Sequence, residues 1–268
     1  MMRTVDELTA SAHAVIDRGF FMGGMVMMPL FSGGHDSLCA CHVASQHKKF
    51  TGSVHHIDTG IGAKYTRAFV DRVCQKYGWT LHVYKSPSTY EQYVAHNGFP
   101  GPGSHRYVYA RLKERCVRMI CKSKMPRLLI SGCRSLESAR RMGYVQPVQV
   151  GEKNQKTGEL TSRKRIWTAP CHDWSKAEQE HYMDEMGLPV NRLKVALGMS
   201  GECFCGAYAK PFEIDAIREH APEVAAEIER LTVVAKASGK PCIWGQAPSR
   251  TAAEPAPGPL CHSCVKSA

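Results

Sequence analysis

A chain of 268 residues can bury a full core, as one large domain or as one domain with an appendage. With 43% hydrophobic and 22% charged residues, the composition is that of an ordinary folded soluble protein rather than a disordered one. The formal charge of +11, from 35 Lys and Arg against 24 acidic residues, points to a polyanionic partner such as a nucleic acid or a phosphorylated small molecule.

In chain order, residues 5–18 read as a helix outside the main repeat. The apolar run 20–31 is too short to span a membrane, which takes about 20 residues, and Asp6, Glu7 and Asp17 precede it. No membrane partner is expected. A buried strand is predicted over 25–31, a helix over 36–47, a strand over 53–57, a helix over 63–77 and a strand over 79–84. The segment 86–105, "SPSTYEQYVAHNGFPGPGSH", holds Pro and Gly enough to be read as a loop. A helix over 106–121 and a buried strand over 127–131 follow. This β-α-β-α alternation implies an α/β fold, a Rossmann-like parallel sheet with helices on both faces. Ligands in such sheets bind at the carboxyl ends of the strands, where the loops starting at Ser32, Asp58 and Gly132 would lie.

Beyond residue 143 the pattern changes. "GEKNQKTGELTSRKR" reads as a basic hairpin or loop, 166–169 as an edge strand, and Asp173 as the N-cap of a helix over 176–186. Residues 211–238 read as helical with a break at Ala221-Pro222, and the Pro/Ala-rich 245–260 as extended chain. The resulting division is an N-terminal helical extension (1–24), an α/β domain (25–200) and a cysteine-bearing C-terminal helical region (201–268).

Three groups of residues carry chemistry. In "SGGHDS" (32–37), Gly33 and Gly34 let the backbone approach an anion. The following helix start adds unpaired N–H groups and about half a positive charge, and Ser32 and Ser37 add hydroxyls. The Lys of the G-x-x-x-x-G-K-[ST] loop is missing, which disfavours a kinase or ordinary ATPase site. Asp36 suits the positive end of the helix, and beside a bound nucleotide it would also hold Mg²⁺. His35 fills the variable position and is given no catalytic role.

The second group is cysteine. With no export signal read in the sequence, the 12 cysteines are expected to be cytoplasmic thiols or metal ligands rather than disulfides, with Cys39, Cys41 and Cys74 read as small hydrophobes. Cys203-x-Cys205 and Cys261-x-x-Cys264 together make a four-thiolate set for Zn²⁺ or an iron–sulfur cluster. Closing the chain between them costs about 3–4 kcal/mol, against a binding free energy on the order of 10 kcal/mol for a structural zinc. Cys116, Cys121 and Cys133 are rival ligands.

The third group is basic. It comprises Arg111, Lys113, Arg115, Arg118, Lys122, Lys124 and Arg127, then Lys153, Lys156, Arg163, Lys164 and Arg165, with Tyr107, Tyr109 and Trp167 alongside. Arginines 111, 115 and 118 are spaced to share a helix face, either solvated or turned to nucleic acid.

Four ordered stretches carry a resemblance. "SGGHDS" resembles the S-G-G-x-D-S pyrophosphate loop of the PP-loop ATP pyrophosphatases. "HHIDTGI" (55–61), "SGCRSLESARR" (131–141) and "APCHDWSKAEQEHYMDEMGLPVN" (169–191) resemble motifs of one branch of that superfamily, the phosphoadenosine phosphosulfate (PAPS) reductase family. The likeness spans roughly residues 25–210. It implies an adenine nucleotide alpha hydrolase-like fold binding an adenine nucleotide. Ser32, Gly33, Gly34 and Ser37 would hold the phosphates, and Asp58 and Gly60 would sit near the nucleoside. Arg134 would face the phosphates, with Gly132, Glu137, Ser138 and Arg141 completing that motif; Glu137 and Arg141 also have the spacing of a helix-surface pair.

Within the family, sulfonucleotide reductases end in a Glu-Cys-Gly-Leu-His motif. This chain has "GECFCG" (201–206), ends in "PLCHSCVKSA", and keeps an intact phosphate loop. The implied activity is cleavage of ATP to AMP and pyrophosphate, to adenylate or thiolate an acceptor such as tRNA or DNA, with a sulfur-donor protein as a further partner. Sulfur-inserting relatives in the superfamily often carry a [4Fe–4S] cluster, which favours a cluster over zinc here. Sulfonucleotide reduction, and a nucleotide- or nucleic-acid-binding module without turnover, stay open as alternatives.

Overall fold

Helix α1 (Val5–Phe21) begins where Thr4 and Glu7 cap each other's backbone N–H groups, and it buries Leu8, Ala12 and Ile16 at one-turn spacing. The computed structural model describes residues 2–135, 146–153, 160–240 and 243–245. Strand β1 (Val26–Pro29) follows and is covered on both faces, as a continuous apolar run requires. It feeds α2 (His35–Ser45), buried on every side from Ser37 to Ala44. The small side chains of Cys39, Ala40, Cys41 and Ala44 let that helix press against its neighbours. Strand β2 (Ser53–Asp58), helix α3 (Lys64–Lys76) and strand β3 (Thr80–Lys85) complete the first half.

The second half begins with α4 (Tyr90–Asn97). A helical run then passes through α5 (His105–Tyr109), a π turn (Ala110–Glu114) and α6 (Arg115–Ile120) to β4 (Arg127–Ile130). Strands β5 (Val148–Lys153) and β6 (Leu160–Thr168) precede α7 (Lys176–Glu185), α8 (Arg192–Leu197), α9 (Glu213–His220) and α10 (Pro222–Ala237).

The strands run in the order β1-β4-β6-β5, parallel except for the antiparallel β5. The parallel pair β2-β3 adjoins β1 through the bridge Leu30–His55, where Phe31 N–H donates to the His55 carbonyl at 2.8 Å. Helices α1, α2, α3 and α7 cover one face, burying Met27, Leu38, Val70 and Trp174. Helix α6 covers the other with Cys116, Val117 and Ile120 against Met28, Leu129 and Trp167. A third cluster joins α4, α5, α8, α9 and α10 around Phe204 and Trp244. The fold is a mixed, Rossmann-like α/β sheet flanked by helices, with the carboxyl ends of β1, β2 and β4 on one rim.

Several expectations need correction. The supposed loop 86–105 contains α4, started by a Thr89–Gln92 capping box and held by buried Tyr90, Tyr93 and Val94. Residues 166–169 are not an edge: β6 lies between β4 and β5, and β5 is the edge. The N-cap of α7 is Ser175, whose hydroxyl accepts from Glu178 N–H; Asp173 instead pairs with Arg3 at 2.7 Å. The helix over 106–121 is interrupted by the π turn. The N-terminal helix precedes the repeat and packs into the same core as β1 and α2, which is no correction of its place in the chain. The segments 136–145 and 246–268 lie outside the described residues.

Candidate functional site

The glycine loop is built by local geometry and clamped from afar. Gly33 has φ +83°, and a Cβ there would lie 2.7 Å from Thr66 Cγ2, so glycine is required twice over. Gly34 is the N-cap of α2 and makes no side-chain capping bond, which leaves the first-turn N–H groups of an 11-residue helix to a ligand. The hydroxyls of Ser32 and Ser37 lie 2.9 Å apart; Ser37 Oγ donates to the Gly34 carbonyl at 2.9 Å and accepts from Ser32 N–H at 3.2 Å. Both serines thus close the loop on itself. From α8, fully buried Asn191 donates to the Gly33 carbonyl at 2.8 Å and the Ser200 carbonyl at 3.0 Å, and Thr66 Oγ1 donates to Ser200 at 2.7 Å. From β4, Gly132 packs so tightly that a Cβ would lie 2.4 Å from Ser37 N.

Asp36 and Arg134 come together beneath the loop. Arg134 Nε and Gln179 Nε2 (3.0 Å) both donate to Asp36 Oδ1, and Arg134 Nη1 reaches the Trp174 carbonyl. Arg134 is 7% exposed, so the pair is a buried tie between α2 and the end of β4. Both bonds made to Asp36 by described residues go to one oxygen. The other is a suitable hard ligand for the Mg²⁺ that accompanies a nucleotide, and the ion would supply charge neutralisation there. Glu137, Ser138 and Arg141 lie outside the described residues.

Beside the loop a cavity of about 290 Å³ is lined by His56, Asp58, Thr66, Arg67, Asp71 and Glu202, among others. Asp58 accepts Gly60 N–H at 2.9 Å and Lys85 Nζ at 3.2 Å. Burial works to raise its carboxyl, but these two partners outweigh it and hold the group below the ordinary range. His56 Nδ1 donates to the Phe31 carbonyl at 2.8 Å, and burial pushes its pKa down, so the ring is neutral with Nε2 as an acceptor. Glu202 is buried against Lys113 of the π turn at 3.0 Å, and its own carbonyl takes Thr59 Oγ1 at 2.7 Å.

The cysteines divide. Cys39, Cys41 and Cys74 are buried core residues with thiols pushed up by burial, Cys74 to about 12. Cys133 is 3% exposed at the end of β4, and Cys116, buried with its thiol at about 11, donates to the Leu112 carbonyl. Cys203 and Cys205 follow Ser200, which sits against Gly34, and Tyr90 Oη and Trp244 Nε1 tie their segment at the Cys205 and Phe204 carbonyls. The Cys205 thiol and burial raise the Cys203 thiol well above its ordinary value. Cys261 and Cys264 lie outside the described residues, among which no three His, Cys, Asp or Glu side chains are grouped to hold a metal. The four-thiolate set proposed from the sequence therefore rests on two residues outside the described ones.

The basic group also divides. Lys113 is buried on Glu202, and Arg165 is buried on Glu114 at 3.0 Å, so neither belongs to a solvated face. Tyr109 and Trp167 are core, 5% and 6% exposed, while Tyr107 is 56% exposed. Sequence reasoning gave no role to His56, Gln179 and Asn191, although all three lie inside the motif stretches 55–61 and 169–191, and it missed Thr66 and the Lys113–Glu202 pair; Asn191 also carried a local signal as the N-cap of a short helix. Among the described residues, no helix is long and apolar enough to cross a membrane.

The family model "Phosphoadenosine phosphosulfate reductase domain" matches residues 26–196. Among solved structures, phosphoadenylyl-sulfate reductase from Candida auris in a phosphate complex is similar at 20% identity, covering 72% of this chain and 90% of that one, with a TM-score of 0.51. A U34-tRNA thiolase from Methanococcus maripaludis with its [4Fe-4S] cluster shares 13% identity over 88% of this chain and 78% of its own, at a TM-score of 0.49. An NH3-dependent NAD synthetase from Campylobacter jejuni shares 12% over 89% and 98%, at 0.46. These likenesses are of fold. No curated protein matches the chain.

Proposed function

Because the chain belongs to the phosphoadenosine phosphosulfate reductase domain family, we propose that it binds ATP at the glycine loop and cleaves it between the α and β phosphates. The observation that carries this reading is the loop itself. The N–H groups at the start of α2 are left to a ligand, Gly33 allows close backbone approach, and both serine hydroxyls hold the loop's shape. A row of fixed N–H dipoles stabilises charge without reorganising when the charge develops. Here that charge is the pyrophosphate leaving with the α–β bridging oxygen as an acceptor oxygen bonds to the α-phosphorus. The nucleoside then falls to the cavity at the end of β2, where Asp58 and the Nε2 acceptor of His56 face it. Asp36 and Arg134 fix the first turn of α2 against β4, so the donors keep their aim.

Calorimetric titration with ATP plus Mg²⁺, and separately with PAPS, tests the reading without knowledge of the acceptor. Binding of ATP at least about tenfold tighter, a difference of about 1.4 kcal/mol, is the expected result. Tighter binding of PAPS would overturn it in favour of sulfonucleotide reduction. Binding of neither would leave the fold as a module without turnover.

A further inference from the structure

The helical run from α5 through the π turn to α6 has two unlike faces. Inward, Val108, Leu112, Cys116, Val117 and Ile120 are buried. Outward stand Arg106, Tyr107, Arg111, Arg115, Arg118 and Lys122, all exposed except Arg111, which is half-buried. The acid in this stretch, Glu114, is held between Arg165 at 3.0 Å and Arg118 at 3.1 Å, so its charge is spent.

Tyr107, Arg111, Arg115 and Arg118 follow one another at intervals of three or four residues and so share one side of the run, with Lys122 just beyond its end. The result is one basic stripe about 17 Å long from residue 107 to 118 at 1.5 Å per residue.

Arg111 and Arg115 are the cations this face presents. The Arg106 guanidinium lies 4.8 Å from the Tyr107 ring centroid and donates to the Tyr107 hydroxyl at 2.8 Å, Arg118 is held by Glu114, and the Arg111 guanidinium lies 5.7 Å from the Tyr93 ring. Among the described residues no carboxylate pairs with Arg111 or Arg115. Arg115 bonds the Ser88 hydroxyl, in the loop that follows β3 and Lys85. The stripe thus touches the loop at the carboxyl end of β3, whose last residue, Lys85, pairs with Asp58.

We propose that this stripe is a track for a single-stranded nucleic acid, with the arginines on successive phosphates and Tyr107 as a platform for a base. Single-strand binders combine such a basic path with an exposed aromatic ring, and Arg recognises phosphate bidentately. An acidic membrane surface would engage the same charges, and comparing vesicle with oligonucleotide binding separates the two. The inference goes beyond ATP cleavage and does not depend on it, because binding is measured with no nucleotide present. Failure of one reading therefore leaves the other standing.

The test uses the full chain and a fluorescein-labelled oligouridylate of roughly 12 nucleotides, within the span such sites cover. Fluorescence anisotropy is followed at rising KCl. The expected slope of log K against log salt is about −0.7 for each phosphate engaged, near −3 for four. The double variant Arg111→Glu/Arg115→Glu should bind at least about tenfold more weakly and with a slope flatter by about 1.4, its thermal melt and ATP titration unchanged. Tyr107→Ala should weaken binding about fivefold or more without changing the slope. Oligonucleotide binding that is unchanged in the double variant overturns the proposal. So does tighter, arginine-dependent binding to phosphatidylserine vesicles than to the oligonucleotide.

Discussion

Asn191 has no access to solvent, and its amide is spent on three backbone groups. The nitrogen donates to the Gly33 and Ser200 carbonyls, and the oxygen accepts from Leu193 N–H at 2.9 Å. A glycine loop that meets phosphate through its backbone must have that backbone fixed before the ligand arrives, and this side chain fixes it from 158 positions away. Asn191→Asp keeps the shape, removes both donors and sets a carboxylate against two carbonyls. Each buried acceptor left without a donor costs about 1–3 kcal/mol, although the Ser200 carbonyl keeps Thr66. We expect a loss of about 3 kcal/mol in urea unfolding, and weaker ATP binding at concentrations where the variant is folded. Unchanged unfolding would show that the clamp is not formed.

At the scale of elements, the π turn joins the site to the helical run. It sends Lys113 inward to Glu202 beside buried Leu112, and the pair is buried, with side chains 6% and 9% exposed. Breaking such a pair strands a charge and costs about 3–5 kcal/mol, whereas replacing both partners with apolar groups is close to neutral. Lys113→Met should therefore lower the free energy of unfolding by about 3 kcal/mol or more, and Lys113→Met/Glu202→Leu should restore most of it. Additive losses in that cycle would mean the two residues do not act as a pair. The same element shows where sequence reading stops. "SGGHDS" was legible because a phosphate loop is a local object: glycines, hydroxyls and a helix start within six residues. That β1–β4 run parallel was legible from alternation of period; their order was not. Lys113 and Arg165 looked like members of a basic face because spacing gives no account of partners at Glu202 and Glu114, 89 and 51 positions away. Helix α4 was missed for a different reason: its Thr89-x-x-Gln92 box and the Tyr90, Tyr93, Val94 spacing were present, but the surrounding Pro and Gly outweighed them.

For the whole molecule, the layers that carry the site also bury histidines in neutral form. His42, 7% exposed between α2 and α7, bonds Tyr182 Oη at 2.9 Å, and burial pushes its pKa down to about 4. His55, 4% exposed on β2, bonds Tyr84 Oη at 3.2 Å; burial, then the neighbouring His82 and Arg127, bring it to about 4 as well. His35, His47 and His56 are lowered too, each chiefly by burial. In the unfolded chain these rings titrate near 6.5, so between about pH 6.5 and 4 the unfolded state binds more protons and stability falls as pH falls. Glu178, held low by Arg3, adds its own loss only below about pH 4.5, where the unfolded carboxylate titrates. Acidification from pH 7.5 to 4.5 should therefore lower the free energy of unfolding by several kcal/mol, with most of the slope below pH 6.5. The double variant His42→Gln/His55→Gln should start less stable at pH 7.5 and show a shallower slope, because two of the proton-linked groups are gone. A profile flat in the parent chain would mean that these rings carry their protons inside the fold, and the neutral His56 acceptor assigned to the cavity would lose its physical basis with them.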